Sequence, residues 1–264
     1  MPYSFHFMKK LILPFIIIIL LACNNTNSSS QHDSVTVIRK DTTTEYFDTT
    51  AMNMLSETER VEGWQLLFNG KDLSGWHLYQ HKTGGAWSAD SGMLHCMGDK
   101  DFKANRADLT SDSTYENFEL FLEWKIAPQG NSGIIYLASE EYPAPFMSGP
   151  EYQLIDANNF PEKLEDWQLT GCNYAMSAPL VNATRPAGVW NHARIVVYHG
   201  HVEHWLNGQK TADYVIGSKE WKAEKEKGKW KDAKGYGATK NGFIDLQDHG
   251  SEIWFKNIKI KRLL

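Results

Sequence analysis

The chain of 264 residues carries only three cysteines, too few for a disulfide-built scaffold. It also lacks a basic excess. Lysine and arginine total 27 against 32 aspartates and glutamates, a formal charge of −5, the wrong balance for a protein that neutralises nucleic-acid phosphates. Its longest apolar run is about a dozen residues, which excludes a multi-span membrane protein. No internal repeat points to a solenoid or propeller. Standard catalytic signatures are missing: there is no G-x-S-x-G, no H-E-x-x-H, no C-x-x-C and no G-x-G-x-x-G, and Gly130-Asn131-Ser132-Gly133 lacks the lysine and spacing of a P-loop. What is abundant is aromatic. Ten tryptophans and eleven tyrosines accompany ordinary globular fractions of apolar (42%) and charged (22%) residues.

The first 23 residues read as an address. Lys9 and Lys10 precede the apolar run 11–22, which has the length of a signal h-region and is too short to span a bilayer. The run ends Leu20-Leu21-Ala22-Cys23, which resembles the lipobox of bacterial lipoproteins. In that reading Cys23 receives the lipid and the domain is held at the membrane of the bacterial cell envelope, outside the cytoplasm. Residues 24–60 are rich in Thr, Ser, Asn and Asp and read as a polar tether. Ser56 and Glu59 have the spacing of a capping box for a short helical turn. Residues 61–264 remain as one domain.

That domain reads as antiparallel β. In residues 118–126 Phe118, Leu120, Leu122, Trp124 and Ile126 alternate with Glu119, Phe121, Glu123 and Lys125. Residues 134–137, 152–155, 193–198, 243–246 and 253–260 are strand-like too, while no long stretch shows a sustained, capped helical period. Asn207-Gly208 is a two-residue hairpin signal, and Tyr198-His199-Gly200-His201, Asn69-Gly70 and Ser91-Gly92 punctuate other strands. Many short strands over about 200 residues imply an all-β sandwich or jelly roll. Residues 219–240, with eight lysines offset by four acids and with Trp221 and Trp230 interleaved, read as a solvated surface insertion; the alternative is a basic-aromatic loop that contacts an anion or a glycan. Cys96 and Cys172 read as buried free thiols, with one disulfide as the alternative.

Chemistry is sought where strands carry polar residues. Three clusters stand out: Glu123 followed by 130–136, then 149–156, then 242–250. On a strand Glu151 and Gln153 share one face, as do Gln247 and His249. If these strands are neighbours, the faces combine carboxylate, amide and imidazole, which suits hydroxyl-rich ligands and acid–base work. A solvent-facing sheet position is the plain alternative for each residue.

These clusters, in this order, resemble the 3-keto-disaccharide hydrolase domain family, described as 3-keto-glucoside 1,2-lyase and 3-keto-2-hydroxy-glucal hydratase. The resemblance is carried by residues 64–76 (WQLLFNGKDLSGW), 130–134 (GNSGI), 149–153 (GPEYQ), 186–191 (PAGVWN), 206–208 (LNG), 244–250 (IDLQDHG) and 255–260 (FKNIKI), and it covers about 64–262. It implies a concanavalin A-like jelly-roll β-sandwich. It implies action on glycosides already oxidised at C3 by a separate sugar 3-dehydrogenase: proton abstraction at C2, β-elimination of the C1 aglycone, then rehydration. The expected catalytic residues are Glu151 or His249 as base, with Glu123 or Asp156 protonating or orienting. Asn131, Gln153 and Gln247 would hold hydroxyls or the ketone, and Tyr174 and Trp190 are candidate stacking walls. No cofactor is implied, although a divalent cation on Glu151, Asp156 or His249 is conceivable. Thr170-Gly171-Cys172-Asn173-Tyr174 departs from the family's usual T-G-A-[LI]-Y. The rival to an enzyme is a non-catalytic, lectin-like glycan-binding lipoprotein.

Overall fold

Alternation of apolar and polar residues sets the architecture, because a strand buries every second side chain. In a computed structural model, residues 52–98 and 106–264 are described, so Cys23, the signal segment and most of the tether lie outside them. The described residues fall in one unit, Thr43–Leu264. Among them, β1 (Trp64–Leu66), β2 (Trp76–Leu78), β3 (Trp87–Asp90), β4 (Met93–Met97), β5 (Leu109–Ser111), β6 (Phe118–Ile126), β7 (Asn131–Ala138), β8 (Glu151–Ile155), β9 (Asn191–Tyr198), β10 (His201–Leu206), β11 (Gln209–Val215), β12 (Phe243–Leu246) and β13 (Glu252–Arg262) form two antiparallel sheets. One sheet runs β11-β10-β9-β6-β13-β4-β3, with β1 added to β13. The other has five strands in the order β2-β5-β12-β7-β8. The sheets stack as an all-β, jelly-roll β-sandwich.

The core lies between them. Leu120, Leu122, Trp124, Ile195, Ile253 and Phe255 face inward from the larger sheet, and Leu109, Ile134, Tyr136, Tyr152, Leu154 and Leu246 from the smaller. Each such side chain contributes about 1.5–3 kcal/mol on burial. One polar bridge crosses this core: His204 on β10 meets the Tyr136 hydroxyl at 2.8 Å and the Gly171 carbonyl at 3.2 Å. Burial lowers its imidazole to about 4, so it stays neutral.

Turn chemistry follows the residues. Asn207 (φ 50°) and Gly208 (φ 81°) both take the left-handed conformation that closes the β10–β11 hairpin. The Ser56–Glu59 capping box opens the short helix α1 (Glu57–Val61). The region 219–240 differs from a solvated insertion. Ser218 caps a nine-residue helix, α2 (Lys219–Lys227), and Trp221, Trp230 and Tyr236 are buried as a second apolar cluster. Tyr236 lies between the two indoles, stacked at 4.6 Å on Trp230 and 5.7 Å on Trp221. These three rings bind the insertion to the sandwich, where a charge run alone would leave it in solvent. Cys96 and Cys172 are free and buried.

Candidate active site

The five-stranded sheet turns its apolar side chains to the core, so the intervening positions face outward. Strand register aligns them in rows. Thr110 pairs with Asp245, Asp245 with Ile135 and Ile135 with Glu151. In the next row Gly133 pairs with Gln153, and the Gln247 backbone N–H donates to the Gly133 carbonyl at 2.9 Å. Asn131 follows one step further, opposite Ile155. The strand neighbourhood β12-β7-β8 therefore brings Glu151, Gln153, Gln247 and Asn131 together on one outer face.

Glu151 is the centre of this face. Gly133 leaves room for it: a Cβ at residue 133 would lie 2.3 Å from the Glu151 carboxyl oxygen Oε1. Burial pushes the carboxyl up to about 8; Lys229 pulls it down and Asp108 adds to the rise. Lys229 comes from the insertion after α2. Its Nζ lies 4.6 Å from the Trp230 ring centroid, 4.8 Å from Tyr174 and 5.7 Å from Phe146. Desolvation lowers this ammonium and Glu151 raises it, so carboxylate and ammonium temper each other. Asp108, just before β5, is pushed to about 7, chiefly by burial, against a backbone hydrogen bond from Asp248. Asp245 is held well above the carboxylate range by burial and accepts from Thr110 at 2.5 Å.

Buried acceptors mark what the face would hold. Asn131 Oδ1 and Gln247 Oε1 have no hydrogen-bond partner among the described residues. A buried acceptor without a donor costs about 1–3 kcal/mol, so the face calls for an occupant rich in hydroxyl donors. A cavity of about 160 Å³ opens beside it, lined by Tyr79, Lys82, Arg106, Asp108, Phe146 and Asp248, among others. His249 is solvent-exposed, but it lies close enough to Arg106 and Lys229 for both to disfavour its charged form. Desolvation is the largest cause of its lowered imidazole.

The remaining residues expected from sequence fall elsewhere. Tyr174 joins the edge of the face, since its amide donates to the Glu151 carbonyl at 3.0 Å. Asp156 braces a turn instead, accepting from the Gln129 amide and from Asn159, both at 2.9 Å. Glu123 and Trp190 are not brought to this face. Glu123 points outward from the larger sheet, where it accepts from Asn257 at 2.6 Å and lies 3.3 Å from Lys256 Nζ. Lys256 in turn sits 4.5 Å over the Trp190 ring. The sheets are about 10 Å apart and the two outer faces point away from each other, which removes Glu123 from reach of Glu151. Glu123→Ala is therefore expected to cost about 1–3 kcal/mol in urea denaturation while leaving turnover unchanged; a collapse in turnover with the fold intact would place chemistry on the other sheet. No three-residue metal-ligand cluster among the described residues includes Glu151, Asp156 or His249.

Lys229, Asp108 and Asp245 are the residues of this face that sequence reasoning did not single out. Asp108 and Thr110 flank core-facing Leu109 with period two, a signal present in the sequence. Lys229 is one lysine among eight, and only the buried Trp230 beside it distinguishes it.

Comparison with known proteins places the chain in a family. Residues 63–261 match the model of the 3-keto-alpha-glucoside-1,2-lyase-like domain. A 3-keto-disaccharide hydrolase of Bacteroides thetaiotaomicron is 33% identical over 239 residues, covering 80% of this chain and 82% of that protein. A crystal structure from Parabacteroides distasonis, of a protein provisionally named a glycosyl hydrolase, superposes with a TM-score of 0.75 at 43% identity, covering 81% of this chain and all of that one. A second protein from that organism, provisionally named in the same way, gives a TM-score of 0.57 at 25% identity, covering 76% and 99%. With most of its length matched, the chain belongs to the 3-keto-alpha-glucoside-1,2-lyase-like domain family.

Proposed function

We propose that the chain cleaves 3-keto-glycosides by elimination and rehydration, a net hydrolysis. The observation that carries this reading is the buried Glu151 carboxyl at about 8, set over Gly133 and facing Lys229. A C3 ketone acidifies the C2 proton, and a base whose pKa lies near the working pH is suited to remove it. Glu151 takes that proton. The electron pair moves into an enolate, whose oxygen the Lys229 ammonium stabilises. The enolate then expels the C1 oxygen, which accepts a proton from Asp108, and water adds to the 2-hydroxy-glucal to give the free 3-keto sugar. Asn131, Gln153 and Gln247 hold ring hydroxyls. Glu151 is preferred to His249 as base because it is buried among the acceptors, whereas His249 stands exposed beside them.

The test is deuterium exchange and turnover. A 3-keto disaccharide incubated in deuterated water should gain label at C2 and lose its aglycone. Log kcat/KM should be bell-shaped in pH, peaking between about 7 and 8: the protonated Asp108 that serves as acid is lost above about 7, and ionisation of Glu151 at about 8 sets the rising limb. Lys229→Met should move that limb upward, since the cation lowers Glu151. Sugar binding without exchange or product, in folded protein, would favour a lectin-like role.

The substrate's ketone requires a sugar 3-dehydrogenase acting before this step, and we place the chain at the cell envelope through lipid on Cys23. Among the described residues no helix is long and apolar enough to cross a membrane. Cells fed a clickable fatty acid should label the wild-type chain and not Cys23→Ser; equal labelling of both would remove the anchor.

A further inference from the structure

We propose that His77, His81 and Glu140 form a site for a first-row divalent transition metal such as Zn(II) at the β2 edge of the five-stranded sheet. One ligand atom from each of the three lies within 4.8 Å of the others. His77 Nε2 is already 3.2 Å from Glu140 Oε1, close to the roughly 3.3 Å between neighbouring ligands of a tetrahedral zinc with bonds of about 2.0–2.1 Å. The His81 ring stacks on His77 at 4.4 Å. It is exposed, so a side-chain rotation suffices to bring its nitrogen in.

The surroundings are those of a metal ligand set. His77 Nδ1 lies 2.7 Å from Asp112 Oδ1. A metal on Nε2 leaves Nδ1–H to donate to that carboxylate, which fixes the ring as second-shell carboxylates do. His81 is presented by two consecutive left-handed residues, Gln80 (φ 56°) and His81 (φ 53°). That conformation costs roughly 1–2 kcal/mol per non-glycine residue. Glu140 holds the turn: its Oε1 accepts from the Gln80 amide at 2.5 Å and its carbonyl from Gln80 Nε2 at 3.0 Å.

Charge separates this cluster from the other His-carboxylate group. At His201, Glu203 and Asp213, Lys210 Nζ sits 2.5 Å from Glu203 and 2.8 Å from Asp213, so an ammonium already occupies the cation position. Among the described residues no lysine or arginine is ion-paired with Glu140 or Asp112. Two imidazoles and one carboxylate favour zinc, nickel or copper over the all-oxygen preference of calcium and magnesium. Three protein ligands leave a fourth position for water.

Four strand spacings separate β2 from β8, about 19 Å, so this metal does not reach Glu151, although Asp108 lies one strand away, its carbonyl accepting from the Tyr79 backbone amide at 2.9 Å. It clips the edge strand to the segment after β7, and that segment continues into the cavity wall at Pro143–Phe146. The site stands independently of the proposed reaction.

Zn(II) titrated into the untagged, chelator-treated full chain against a chromophoric competitor tests it. Wild type should take up one zinc and melt at a higher temperature with it. His81→Ala should bind at least about tenfold more weakly and lose the thermal shift, while keeping its near-ultraviolet circular dichroism. His201→Ala should behave as wild type. Zinc uptake by wild type no tighter than by His81→Ala, or uptake lost in His201→Ala instead, overturns the proposal.

Discussion

Glu151→Gln is expected to lower kcat/KM by about 10²–10⁴ and, in the same molecule, to make the protein more stable at alkaline pH. The amide keeps the shape of the side chain and its place over Gly133, but it cannot take a proton from C2. The stability gain follows from linkage. The ordinary carboxyl value is 4.5 and the folded one about 8. Below 4.5 the group is protonated folded and unfolded, and burial carries no ionic penalty. Between 4.5 and 8 only the unfolded chain ionises, so stability falls as pH rises, by about 1.4 kcal/mol per pH unit. Above 8 the penalty is full, on the order of 5 kcal/mol. Glutamine removes it. Urea denaturation should therefore show the two proteins matched near pH 4 and diverging toward pH 9. Asp108, pushed to about 7, retains its own pH slope in both. A variant that keeps its rate would dismiss Glu151 as base. A variant that loses rate without any alkaline gain would mean the carboxyl is less buried than its position indicates.

Such a trade of stability for a poised base explains why part of this site was legible and part was not. Residues two apart on a strand share a face whatever the sheet order, so the pairing of Glu151 with Gln153 needed no tertiary information. Glu123 has the same local signature, a glutamate between core-facing Leu122 and Trp124. Alternation assigns it to an outer face but cannot say of which sheet. That depends on β6 pairing with β13 and β9, contacts distant in sequence. Trp190 fails for the same reason. The strand at 118–126 is read to the residue because its core-facing apolar residues recur at every second position, with Phe121 the one apolar residue on the other face, whereas α2 escapes notice because its nine residues are polar almost all round. The insertion is held by three aromatic rings whose stacking partners become neighbours only in the fold. Gly133 is the most instructive case. Within Gly130-Asn131-Ser132-Gly133 it reads only as part of a polar cluster without a P-loop's lysine and spacing; it lies inside β7, and the room it leaves for Glu151 exists only in the fold.

Gly133→Ala is the sharpest test of that reading, because it adds one methyl and replaces no ionisable group. The new Cβ would stand 2.3 Å from Glu151 Oε1 and 2.9 Å from its Cγ and Cδ. No real Cβ tolerates such contacts, so the glutamate must move. What it meets is the flexible end of a side chain rather than backbone, and Gly133 is not among the residues with a left-handed φ. Alanine therefore suits the strand, and the fold absorbs the change at a cost of about 1–3 kcal/mol. Catalysis has less tolerance. A base displaced by about 1 Å from a near-attack geometry loses on the order of 10² in rate, so kcat should drop about a hundredfold while KM changes little, since Gln153, Gln247 and Asn131 keep their rows. A displaced carboxyl also gains solvent, and its pKa should fall toward the ordinary 4.5. The ascending limb of the residual activity would then shift to lower pH, opposite in direction to Lys229→Met. Full activity in Gly133→Ala would mean that Glu151 acts from a position other than the pocket that glycine opens.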